Sequence, residues 1–101
     1  MSWRERLDAG NAIDVPCIDF GKAQLILLPA ESFVQYQLWA QEMRPDSTVL
    51  AMGYGECAPG YIPTAKDAAE GYNDHYSWIA FPECEQTMLA AIREALRAPR
   101  A

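Results

Sequence analysis

AQLILLPAESFVQYQLWAQEMRPDSTVLAMGY, residues 23–54, decides the fold. It opens on AQLILL, an apolar run broken only by Gln24, and closes on STVLAMGY; both runs have strand length and are bounded by turn chemistry. Between them the pattern changes. Phe33, Val34, Tyr36, Leu38, Trp39 and Met43 recur at threes and fours, Glu31 stands where a first-turn acid suits the helix dipole, and Pro45 follows as a stop. A helix of about fourteen residues is expected. Strand, helix, strand over this length makes a right-handed βαβ crossover with two parallel strands.

Outward from this unit, Val15 to Phe20 is a further strand, joined to Ala23–Leu28 through Gly21-Lys22. A glycine first in a two-residue loop predicts an antiparallel hairpin with a type II′ turn. Residues 1–12 are a polar segment in which Trp3 and Leu7 suggest a short amphipathic helix ending near Gly10. Thr64 is placed to cap a short helix over Ala65–Glu70, and GYNDHYSW, residues 71–78, reads as irregular. Pro82, Glu83 and Glu85 then open a last helix whose end carries Arg93 and Arg97 and whose apolar stripe is Met88, Leu89, Ile92 and Leu96. The fold class expected is α/β in one domain over residues 1–101: a small sheet with a β-hairpin, then a βαβ crossover, then a C-terminal helix.

Composition narrows the function classes. The net charge is −6 and the basic residues gather only at Arg93, Arg97 and Arg100, which disfavours nucleic acid, whose phosphates need a basic face. No apolar run nears the ~20 residues of a transmembrane segment, and MSWRERLDAG lacks the apolar region of a signal peptide. Cys17, Cys57 and Cys84 are three widely spaced thiols without a C-x-x-C pair, so Cys17 and Cys84 read as small core residues.

Parallel strands place their ligands at the carboxyl edge of the sheet, and both the turn carrying Glu31 and the loop GYGECAPGYIPT, residues 53–64, leave the sheet there. Candidates at that edge are Glu31, Tyr54, Glu56, Cys57 and Tyr61, with Asp74 and His75 on the later irregular stretch. Each has a plainer alternative. Glu31 suits a helix start, Tyr61 suits packing under the loop, and Pro59 and Pro63 suit a stiffened connection. Cys57 and His75 could pair as a thiolate hydrolase, although no cysteine-hydrolase signature surrounds Cys57. The loop is neither a nucleophile elbow nor a P-loop.

The segments LPAESFVQYQLWAQEMRP, GYGECAPGYIPT, AAEGY and FPECEQTMLAAIREAL, in this order, resemble the carboxyl-terminal part of the catalytic domain of the neutral/alkaline ceramidase family, in particular its bacterial ceramidase-like branch. The resemblance spans residues 13–97 and implies a piece of a larger α/β catalytic domain. Members are zinc amidases that hydrolyse the N-acyl bond of ceramide and hold the metal with two histidines, a glutamate and a tyrosine. By motif position the glutamate falls on Glu31 and the tyrosine on Tyr61. Zinc there lowers the pKa of a bound water and polarises the amide carbonyl. The family histidines lie upstream of the matched part, His75 matches neither, and Ala30 stands where the family commonly has glycine.

The resemblance thus implies a zinc-dependent amide hydrolase, inactive as this chain alone, with two of four ligands present and a lipid-like N-acyl amide as substrate. Its partner would be the upstream part of the same domain, or a second copy. Tyr54, Glu56, Cys57 and His75 would lie on the substrate side. The reading from another class is a small α/β interaction module without enzymatic activity, docking through an exposed apolar sheet face.

Overall fold

A computed structural model describes Glu5 and residues 8–56, 60–71 and 83–98. The hairpin forms as expected: β1 (Cys17–Asp19) runs antiparallel to β2 (Ala23–Leu27), with Cys17 opposite Ile26 and Asp19 opposite Gln24. Gly21 takes φ +91°, which a type II′ turn requires at that position. The Asp19 carboxylate closes the turn by accepting from the Gly21 N–H at 2.8 Å and from the Gln24 amide at 3.1 Å. These two bonds hold the Asp19 carboxyl below its usual range.

The crossover is also present. Helix α1 (Val34–Met43) leads to β4 (Thr48–Met52), which lies parallel to β2 in a sheet of order β1-β2-β4. The helix is shorter than its sequence pattern suggests, at ten residues, and Glu31 is not in its first turn. Glu31 and Ser32 instead form a short strand β3, parallel to β5 (Tyr61–Ile62). The Glu31 N–H donates to Gly60 O at 2.7 Å and the Phe33 N–H to Ile62 O at 3.1 Å. A backbone committed to that ladder cannot also wind into a helix.

Helix α2 (Ala65–Ala69) is capped by Thr64, whose hydroxyl oxygen accepts from the Asp67 N–H at 3.1 Å. Its first N–H, on Ala65, donates to Glu85 at 3.0 Å, which ties it to helix α3 (Cys84–Leu96). Cys84, Met88, Ile92 and Leu96 repeat every fourth residue and are buried, so the predicted stripe of α3 faces the core. At the far end of α3 the Arg44 guanidinium donates to Leu96 O at 2.6 Å while pairing with Asp46 at 3.0 Å. Pro82 and the amino-terminal helix expected around Trp3 and Leu7 lie outside the described residues.

Ile26 and Leu28, with Val49 of β4, meet Tyr36 and Ala40 of α1 and the stripe of α3. Phe33, just ahead of α1, and Trp39 and Met43 on it pack against this core, whereas Val34 and Leu38 are exposed. Both stand two positions from Tyr36, about 160° round the helix from it, so one apolar ridge turns in and the other out. On the sheet face away from the helices, apolar side chains are exposed. Ile18, Leu25 and Leu50 form one row across its three strands, with Ile18 55% and Leu50 54% exposed. Among the described residues, no helix is long and apolar enough to cross a membrane.

One buried polar bond joins the two halves of the chain. The Tyr36 hydroxyl donates to Pro63 O at 2.8 Å, fixing β5 and α2 to the inner face of α1. Burial pushes this phenol far above its ordinary value, so it keeps its proton and stays a donor. Replacing Tyr36 with Phe leaves the Pro63 carbonyl buried and unpaired, and is expected to cost about 1–2 kcal/mol in urea unfolding.

Candidate functional site

The site is made by the way β2 ends. Past Leu27 the parallel ladder runs one step further, with the Leu28 N–H donating to Met52 O at 2.7 Å, and then both chains turn. Ala30 adopts φ +49°, which costs a residue with a side chain roughly 1–2 kcal/mol. Three backbone bonds hold it: Tyr54 N–H to Ala30 O at 2.7 Å, Ala30 N–H to Glu56 O at 2.8 Å, and Gly55 N–H to Leu28 O at 2.9 Å. A Cβ on Gly55 would stand 2.7 Å from that same Leu28 oxygen, so only glycine fits there.

Beyond this clasp the ladder resumes with a changed offset. Leu27 pairs with Met52, 25 positions on, whereas Glu31 pairs with Tyr61, 30 positions on. The extra five residues are the loop, and its excursion is what brings Tyr61 beside Glu31. Partners on adjoining strands lie about 4.8 Å apart, with side chains on one face.

Tyr54 lines the same cavity as Glu31 and Tyr61. The Tyr54 phenol is held above its ordinary value by hydrogen bonding towards Glu31 and by the charge of that carboxylate. Tyr61 sets its ring edge-on to Phe33 at 6.2 Å and 80°. The Ser32 hydroxyl donates to Pro29 O at 2.7 Å and stiffens the turn. Glu31, Phe33, Gln35, Tyr54, Tyr61 and Asp67 line one surface cavity of about 480 Å³.

Of the residues expected at this edge, the fold therefore brings together Glu31, Tyr54 and Tyr61. Glu56 goes elsewhere: its carboxylate accepts from the Asp14 N–H at 2.9 Å, anchoring the segment before β1. Cys57, Pro59, Asp74 and His75 lie outside the described residues. Asp67 reaches the cavity without having been singled out in the sequence. The only signal was Thr64-x-x-Asp67, which marks a helix start, and the Thr64 hydroxyl does donate to the Asp67 carboxylate at 2.9 Å.

The titratable groups on the cavity are two carboxylates, Glu31 and Asp67, and two phenols, Tyr54 and Tyr61. Among the described residues no group of three or more His, Cys, Asp and Glu could hold a metal ion. No family model matches the chain, and no curated protein or solved structure matches it closely enough to count as a relative.

Gly55→Ala is expected to destabilise the chain by about 1–3 kcal/mol in urea unfolding, because the new methyl meets a backbone oxygen with no room to yield. A second expectation concerns alkaline titration. A raised phenol pKa means that the Tyr54–Glu31 bond stabilises the fold near neutrality and stops doing so as pH rises through the folded-state value, above ~10. Subtracting the alkaline absorbance of Tyr54→Phe isolates this group. Glu31→Gln should then bring its midpoint down towards that of a free tyrosine.

Proposed function

We propose that this chain is the carboxyl-terminal part of a zinc-dependent amide hydrolase of the ceramidase type, to which it contributes Glu31 and Tyr61 as metal ligands. The observation that carries the reading is the strand register. The two residues singled out by motif are direct cross-strand partners at the carboxyl end of the parallel pair, although 30 positions separate them in the chain.

Two residues are too few to make the site alone, since catalytic zinc has three protein ligands or more. The two histidines that complete the set belong to another part of the domain, and this chain alone is inactive. Bound zinc would supply Lewis-acid activation of water for cleavage of an N-acyl bond. This chain's own share is to hold two oxygens in place and to border the substrate. Phe33 and the exposed Val34 give the cavity an apolar wall suited to the acyl part of a lipid-like amide. The same reading accounts for the exposed Ile18 and Leu50 on the outer sheet face. The rest of the catalytic domain packs there.

A second reading is favoured by that face alone: an interaction module that associates through the row Ile18, Leu25 and Leu50. Zinc separates the two. In calorimetric titration with Zn²⁺, with free imidazole standing in for the two histidines, the first reading expects binding that imidazole strengthens and that Glu31→Ala or Tyr61→Phe removes. Binding unchanged in both variants would leave the interaction module.

A further inference from the structure

The cavity beside β3 and β5 is lined by groups that agree in the charge they favour. Three aromatic rings, Phe33, Tyr54 and Tyr61, stand on it together with two carboxylates, Glu31 and Asp67. Its described lining contains no lysine or arginine, in a chain whose net charge is −6. An anion would meet only repulsion there. The volume, about 480 Å³, is that of a pocket for a small molecule.

The aromatic walls suit a cation. Phe33 and Tyr61 meet edge-on, 6.2 Å apart at 80°, so their planes form a corner. Tyr54 supplies the third ring; it is 70% exposed and spends little of its surface on the core. Its backbone sits at φ +62° between Gly53 and Gly55, a region that glycine enters freely and a tyrosine enters at a cost. Strain kept at one residue beside a cavity is a mark of use. The face of an aromatic ring is the negative part of its quadrupole and attracts a cation within about 6 Å of its centre.

The two carboxylates come from separate elements. Glu31 is held in the β3 ladder opposite Tyr61, and the Asp67 carboxylate on α2 accepts from the Thr64 hydroxyl at 2.9 Å. Among the described residues they do not belong to a group of three or more that could hold a metal ion. A cation whose charge is spread over methyl groups needs no such group, because ring faces and nearby negative charge hold it without coordination bonds.

We propose that this cavity binds a small methylated ammonium cation, its charged head against the rings of Phe33, Tyr54 and Tyr61 and balanced by Glu31 and Asp67, its alkyl part along Val34. Such binding needs only the lining of the cavity, and so stands apart from the reading of Glu31 and Tyr61 as zinc ligands.

The test is an NMR titration of the ¹⁵N-labelled chain with choline and with 3,3-dimethylbutan-1-ol, which has the shape of choline without its charge; sodium chloride at equal ionic strength is the blank. Choline should shift the amide signals of residues 31–35, 53–55 and 61 saturably, and the alcohol should bind about 10-fold more weakly. Tyr54→Leu, which removes an exposed ring, and Glu31→Gln, which removes a charge at constant shape, should each weaken choline about 2- to 5-fold. Glu42→Gln, an equal loss of charge at an exposed position of α1, should leave its affinity unchanged. Equal affinity for the alcohol, shifts that sodium chloride reproduces, or no saturable shift with choline overturns the proposal in the unaltered chain. Undiminished affinity in Tyr54→Leu, or equal loss in Glu31→Gln and Glu42→Gln, overturns it as well.

Discussion

Three backbone hydrogen bonds between residues 28–30 and 54–56 hold this molecule's functional edge together. Without them β2 and β4 would simply end, and the next residues would be two unrelated loops. With them, the parallel pair is interrupted and then restarted as β3 and β5 at a new offset. The clasp exacts a left-handed alanine at 30 and a left-handed tyrosine at 54, both costly, and it closes only because residue 55 has no side chain. Its strain is offset by the surrounding core, in which Ala30 is fully buried and Tyr36 anchors the returning chain at Pro63.

The architecture follows from periodicity. Runs of strand length flanking a three-and-four pattern could be read directly as strand, helix, strand, and the i, i+4 stripe of the last helix identified its buried face without ambiguity. Local signals failed where long-range pairing decides. An acid just ahead of an apolar helical pattern looks the same whether it opens the helix or precedes it, and only the ladder to Tyr61 makes Glu31 extended. Likewise, α1 has two apolar ridges, and which of them turns inward depends on what the sheet presents to it. Alanine at 30 gave no local sign of a left-handed turn, as glycine would have done.

The candidate site was legible in outline. Parallel strands direct their loops to one edge, which is enough to bring Glu31 and the 53–64 loop to the same side. What the sequence does not encode locally is the division of labour inside the loop: Gly55 for close approach, Tyr54 on the cavity that Glu31 lines, Glu56 turned back to Asp14, and Tyr61 in register with Glu31. Asp67 was hidden for a similar reason, since its capping role is local and its approach to the cavity depends on where α2 is set down. The cavity thus sets carboxylates and phenols beside the apolar side chains of Phe33 and Val34.

Diffraction at the zinc absorption edge, from crystals of the chain grown with zinc and imidazole, tests this account most directly. The account predicts an anomalous peak in the cavity lined by Glu31 and Tyr61, and none there in crystals of Glu31→Ala. Zinc bound elsewhere on the surface, with Glu31 and Tyr61 both unliganded, would contradict it.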